Sequence, residues 1–388
     1  MGSRIVGRGL EAYREIEFPL SKEWVYLNHA ASSPLPRRCY DALCQYGEAR
    51  VRRSEAYANG NIDYDITHIR TRLGDLLNCD ANDVGFVPST CDGLAAIANS
   101  VDWRPGDNVV IPECDFQGVH HAWLNLARRG VEVRSVRMPN GFVEMDALFA
   151  SVTSKTRAIS ISHVQMHNGF KIDIGALGQF CRERGILSVV DAIQSVGVEP
   201  IDVTAANIDV LVFGAYKFLM GIPGIAVLYI NRRVLDQLHP DRGGKLNVAF
   251  SESGAPTWAD GPLRYQVGSL NEAALWVLDR SLDLLLTVGV DEIKSHVSSL
   301  VNRLDRELRK VGVQVTSSED PQYRCAILAF TSGSDSTDQT MLRMLCQRGI
   351  IASCKSAGIR ISPHGYNSVS DVEKFLDAVS DLKFPVRS

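Results

Sequence analysis

The chain has 388 residues, with 41 Lys plus Arg against 45 Asp plus Glu and a formal net charge of −4. That length suits two or three domains, or one large α/β unit with an appended domain. The near balance of charge, without a basic stripe or charged tail, argues against nucleic acid or a membrane as partner. Nine cysteines are scattered without a Cys-x-x-Cys pair, which suits a reducing, cytoplasmic setting and neither a disulfide framework nor a structural zinc site. The first residues carry no apolar signal core, and no apolar run reaches the length of a membrane span.

In chain order, residues 1–20 read as an N-terminal segment, followed by a polar loop at Asn28 to Ser32. From 80 to 235, strand-like and helix-like stretches alternate. Strands are expected at 83–87, 108–111, 132–136, 158–163, 187–190, 210–213 and 226–230, with helices such as 94–101 and 176–184 between them. This alternation predicts a mostly parallel sheet covered by helices on both faces. Residues 240–270 are rich in Gly, Pro and Ser and are expected to form a long functional loop. Helices are expected over 272–288 and 291–310, and the remainder reads strand, helix, strand, helix. The fold class is therefore α/β, with a large domain over 21–274 and a small C-terminal α+β domain over 275–388.

Two residues stand where ligands gather in such sheets, at the C-terminal ends of strands. The apolar run 210–213 stops at Gly214 and Ala215, and Tyr216 and Lys217 follow before a turn-rich stretch with Gly221, Pro223 and Gly224. An amine near apolar surroundings loses part of its preference for charge and becomes nucleophilic. The run 187–190 ends in Asp191. A Lys able to form a Schiff base and an Asp able to pair with a pyridinium nitrogen are the pair that pyridoxal 5′-phosphate (PLP) requires.

With these residues, the stretch from Tyr26 to Pro34 and the stretch from Arg360 to Asn367, the chain resembles the fold-type I PLP enzymes of the class V aminotransferase superfamily. That group includes cysteine desulfurases, isopenicillin N epimerase, kynureninase and carbon–sulfur lyases. The resemblance covers nearly the whole chain. It implies Lys217 as the catalytic residue that carries PLP and Asp191 as the partner of the ring nitrogen. It assigns Thr90 and Cys91, at a helix N-terminus that attracts anions, to the phosphate. Phe116 would stack on the ring, Gln194 would contact the phenolic oxygen, and Tyr216 and Ser269 would lie by the phosphate. Ser269 belongs to a turn that the family supplies from a partner subunit, so a homodimer with shared sites is implied. Arg360 would hold the substrate α-carboxylate, with the His29 and Ala30 loop closing the substrate side. The chain departs from the desulfurase pattern at Cys91 (often Thr), Phe116 (His), Met166 (Asn), Gly214 (Ser) and Tyr216 (His). No metal site is expected, because His163 and His167, four apart, lie on strand and loop rather than on a helix.

Desulfurases also carry a nucleophilic Cys on a loop before the substrate arginine, and the stretch from Gly349 to Arg360, with Cys354, is too short for one. The resemblance is therefore to the epimerase and lyase branch, including PLP enzymes of lincosamide antibiotic assembly. The expected reaction is β-elimination from a cysteine S-conjugate in natural-product biosynthesis. Decarboxylating oxidative deamination, epimerisation, transamination and a non-catalytic PLP-binding protein are the alternatives.

Overall fold

The structure is a computed structural model that describes residues 9–52 and 66–381. Its strands are β1 (Val25–Tyr26), β2 (Val84–Val87), β3 (Asn108–Pro112), β4 (Glu132–Val136), β5 (Thr156–Ser162), β6 (Leu187–Asp191), β7 (Val210–Gly214), β8 (Ala226–Ile230), β9 (Val248–Phe250), β10 (Pro256–Trp258), β11 (Gln314–Val315), β12 (Leu328–Thr331), β13 (Ile350–Ile351), β14 (Ser353–Lys355) and β15 (Gly358–Ile361). The longer helices are α1 (Arg37–Arg52), α2 (Ile66–Leu77), α3 (Thr90–Ser100), α4 (Ile174–Arg184), α5 (Glu272–Val288), α6 (Val290–Lys310), α7 (Asp335–Gln347) and α8 (Val369–Ser380).

Seven strands form the central sheet in the order β2-β8-β7-β6-β5-β3-β4. Only β8 runs antiparallel to its neighbours, so the expected mostly parallel sheet is observed. The inner strands are fully buried because both faces are covered, which is why they read as unbroken apolar runs. Alternate residues feed two separate cores. Leu211 and Phe213 join one cluster, while Val210 and Val212 join the other, as the two-residue period of a strand dictates. Helix α3 presses onto the sheet through Gly93, where a Cβ would come within 2.7 Å of Val212. Ser89 caps α3 by accepting from the Asp92 N–H at 3.1 Å. Asp173 caps α4, which starts two residues earlier than expected.

A four-stranded antiparallel sheet, β11-β12-β15-β14, forms the C-terminal layer with α6, α7 and α8. The N-terminal stretch docks on this layer. Strand β1 pairs with β13, Arg14 forks onto Asp371, and Phe18 stacks on Tyr366 at 3.8 Å. Residues 25–28 thus pair with segments of the C-terminal layer. Residues 240–270 are not wholly irregular: β9 and β10 form a small hairpin, followed by a 3-10 turn at Gly261–Tyr265. Among the described residues no helix is long and apolar enough to cross a membrane.

Candidate active site

The C-terminal edges of β5, β6 and β7 stand level, with Ser162, Asp191 and Val212 in register. Lys217 follows three residues beyond the end of β7. Its loop is cinched by the Gly221 N–H on Ala215 O at 2.7 Å and the Met220 N–H on Lys217 O at 2.8 Å. Met220 takes a left-handed φ of 58° to do so, a conformation that costs a non-glycine residue about 1–2 kcal/mol. Two distant segments hold the same loop. The Ser33 N–H donates to Tyr216 O and its hydroxyl to Lys217 O at 2.6 Å, while His364 Nε2 donates to Phe218 O at 2.9 Å.

Burial is the main force on the ionisable groups here. It pushes the Lys217 amine down to about 8, helped by the positive charges of Arg360 and Lys355 and opposed by Asp191. Burial pushes the Asp191 carboxyl up to about 7, with Asp115 adding repulsion while the Ile193 N–H and Lys217 pull it back. Arg360 is 1% exposed and is pushed down to about 10 by desolvation. Its Nη1 donates to Met166 O at 2.7 Å, but its Nε has no partner. Thr90 Oγ1 and Gln194 Oε1 are likewise buried without partners among the described residues. Unpaired buried polar groups are costly and call for an explanation.

These open atoms fit PLP. Asp191 offers a carboxylate with no cation but Lys217 near it, which suits a pyridinium N–H. Phe116 is 39% exposed, so its ring is not committed to the core and its face is available for stacking. Cys91 and Phe116 converge over Gly118, where a Cβ would meet Cys91 Sγ at 2.9 Å and Phe116 at 2.8 Å. Gly214 has a matching role. A Cβ there would meet Thr90 Oγ1 at 3.3 Å and the Tyr216 ring at 3.2 Å, so the missing side chain leaves room for Tyr216. Lys217 Nζ lies 5.9 Å from that ring's centroid.

Not every expected residue faces this cavity. His29 is fully buried, Nδ1 donates to Ser362 O at 2.8 Å, and Nε2 meets the Tyr366 hydroxyl at 3.1 Å. Burial and the neighbouring His364 hold its imidazole well below its usual range. Both ring nitrogens are thus engaged within the protein, and the ring ties the N-terminal loop to Ser362 and Tyr366. Ala30 lies at the cavity through its backbone, its carbonyl accepting from Gln194 Nε2 at 3.1 Å and its N–H donating to Ser362 Oγ at 2.9 Å. Ser269 is exposed, on a cleft of about 250 Å³ shared with Asp92 and Arg242 rather than with Lys217. The next polar residue, Asn271, caps α5 by accepting from the Ala274 N–H at 3.1 Å.

Asp115 escaped sequence reasoning. It accepts from the N–H of Phe116, the N–H and hydroxyl of Ser162 and the amide of Gln165. It thereby ties the Phe116 loop to the segment whose Met166 carbonyl holds Arg360. The only sequence signal was an acid next to an aromatic after a strand, and that pattern is common in turns.

The model of the aminotransferase class-V family matches residues 25–375, and the chain belongs to that family. It is accordingly a PLP-dependent enzyme of the fold-type I class. An uncharacterised aminotransferase, YcbU of Bacillus subtilis (strain 168), is 25% identical over 370 residues, covering 95% of this chain and 97% of the relative. A cysteine desulfurase of Escherichia coli O1:K1 / APEC is 29% identical over 324 residues, covering 79% of this chain and 78% of its own. The cystine C–S lyase C-DES, solved in complex with its product cysteine persulfide, superposes with a TM-score of 0.86 at 22% identity, covering 94% of this chain and 99% of that one. This last likeness is one of fold.

Proposed function

We propose that the protein is a lyase that cleaves the C–S bond of a cysteine S-conjugate by β-elimination, within the assembly of a natural product. The observation that carries this is the hairpin β14–β15. Lys355 pairs with Gly358, so only residues 356 and 357 make the turn. No nucleophilic cysteine loop fits there, and elimination needs none. The names of similar proteins, a cysteine desulfurase and a cystine C–S lyase, support a cysteine-type substrate.

In this reading Arg360 grips the α-carboxylate with two parallel hydrogen bonds, fixing the orientation of Cα. When bound, PLP supplies the electron sink that makes the Cα proton removable. Lys217, as free amine, accepts that proton. The electron pair of the Cβ–S bond leaves with sulfur as thiolate, and the released enamine hydrolyses to pyruvate and ammonia. Asp191 would pair with the ring nitrogen, Phe116 would stack on the ring, and the α3 N-terminus with Thr90, Cys91 and Tyr216 would receive the phosphate. Incubation with a cysteine S-conjugate should yield pyruvate and thiol in equal amounts. Carbon dioxide and an aldehyde would instead indicate decarboxylating oxidative deamination and overturn the proposal.

We place Ser269 in the neighbouring subunit's site of a homodimer, a placement supported by its exposure on a cleft away from its own Lys217. Activity per chain should then fall on dilution as a dimer dissociates. A monomer of undiminished activity would refute it.

A further inference from the structure

The substrate arginine shares its sheet face with two polar side chains that the proposed reaction does not use. In the hairpin register Ser353 stands directly opposite Arg360, and Lys355 stands opposite Gly358. Residues two apart on a strand point to the same face. Ser353 and Lys355 therefore stand on the Arg360 face, and Cys354 stands on the other. The electrostatic neighbours divide the same way. Cys354 feels Asp335 and Asp338 of the α7 side, whereas Lys355 and Arg360 both act on Lys217. Ser353 Oγ is buried and has no hydrogen-bond partner among the described residues. Lys355 is exposed and has no ion-pair partner among the described residues. Diagonal cross-strand neighbours are about 7–8 Å apart, within reach of long side chains, so the Lys355 ammonium can share a ligand with Arg360.

This leaves a charge surplus on the substrate side. An α-carboxylate on Arg360 balances one cation, and Lys355 beside it stays uncompensated. The two acids of the site, Asp191 and Asp115, lie on the cofactor side, at the strand edge of β5 and β6.

We infer that Ser353 and Lys355 form a subsite for an anionic group at the far end of the substrate side chain, so that the substrate is an amino acid with a second acidic group, a distal carboxylate or sulfonate. This rests on the assignment of Arg360 and PLP made above. The ammonium supplies charge attraction and the Ser353 hydroxyl a directed hydrogen bond; an apolar side chain would leave both without a partner, and a neutral amide would offer only an uncharged, weaker acceptor.

The test uses two probes of nearly equal shape, S-carboxymethylcysteine and its neutral amide, S-carbamoylmethylcysteine. Their binding to the PLP-loaded enzyme is read by titrating the change in visible absorbance. The acid should bind about tenfold more tightly than the amide, the advantage of a charge-assisted contact. That advantage should shrink as ionic strength rises, since Lys355 is exposed and screened. Lys355→Ala should abolish most of the difference, weakening the acid far more than the amide, Lys355→Arg should keep most of it, and Ser353→Ala should reduce it severalfold. Equal affinities in the wild type, or an equal loss for both probes in Lys355→Ala, would overturn the subsite. A loaded enzyme that responds to neither probe nor to alanine would defeat the Arg360 assignment, and the subsite with it.

Discussion

Lys217→Ala is expected to lower turnover by at least about 10³-fold, within the range for removing a positioned acid–base group, and to end covalent attachment of the cofactor. The buried loop that carries Lys217 holds its amine near about 8 rather than the 10.5 of a free side chain. At pH 7.5 about a quarter of the molecules then carry the free base, against about one in a thousand for an unperturbed lysine. Borohydride reduction followed by peptide mapping should fix the cofactor mass to the peptide containing Lys217 in the wild type, and to none in the variant. Capture of PLP by the cofactor-free protein should quicken as pH rises through about 8, because only the deprotonated amine attacks. A fixed cofactor on another peptide would sink the assignment.

Arg360→Lys should raise KM and also lower kcat, a combined loss of about 2–5 kcal/mol in transition-state stabilisation, as when one partner of a buried charge pair is removed. Lysine keeps the charge but offers a single point where the guanidinium offers a fork, so the carboxylate is held without a fixed direction. The hydrogen bond that Arg360 Nη1 donates to Met166 O would also be lost. Cofactor binding should persist, since Arg360 lies on the substrate side, and the visible spectrum of the loaded variant checks that. Unchanged kinetics with amino-acid substrates would place the carboxylate elsewhere.

Much of the scaffold was legible because the inner strands are covered on both faces and so spell continuous apolar runs. The ends of β6 and β7 were clear because Asp191 ends one apolar run and Gly214 the other, with Lys217 three residues beyond. The β9–β10 hairpin was missed, since Phe250 and Trp258 point outward and leave no core-facing pattern. His29 looked like a group of the cavity because a polar loop surrounds it in sequence. Only the packing of His364 and Tyr366, more than 300 positions away, turns its ring inward. Asp115 was invisible for a similar reason: its partners come from another strand and loop, and an acid with four donors reads the same as a solvated one. The perturbed lysine itself depends on burial and on the charge of Arg360, which arrives from a distant strand and which no local pattern records.

The way the Lys217 loop is fastened also bears on how the enzyme comes into being. Its ties run to Ser33 and to His364, so the reactive centre is closed by contacts with two segments far from it in sequence, one on each side. Such contacts carry the largest loop-closure cost and form late. During synthesis the N-terminal part emerges first, and the Phe218 carbonyl of the lysine loop must wait for a residue 146 positions further on before it is held. The nucleophile's loop is therefore fully fastened only once the segment carrying His364 has been made.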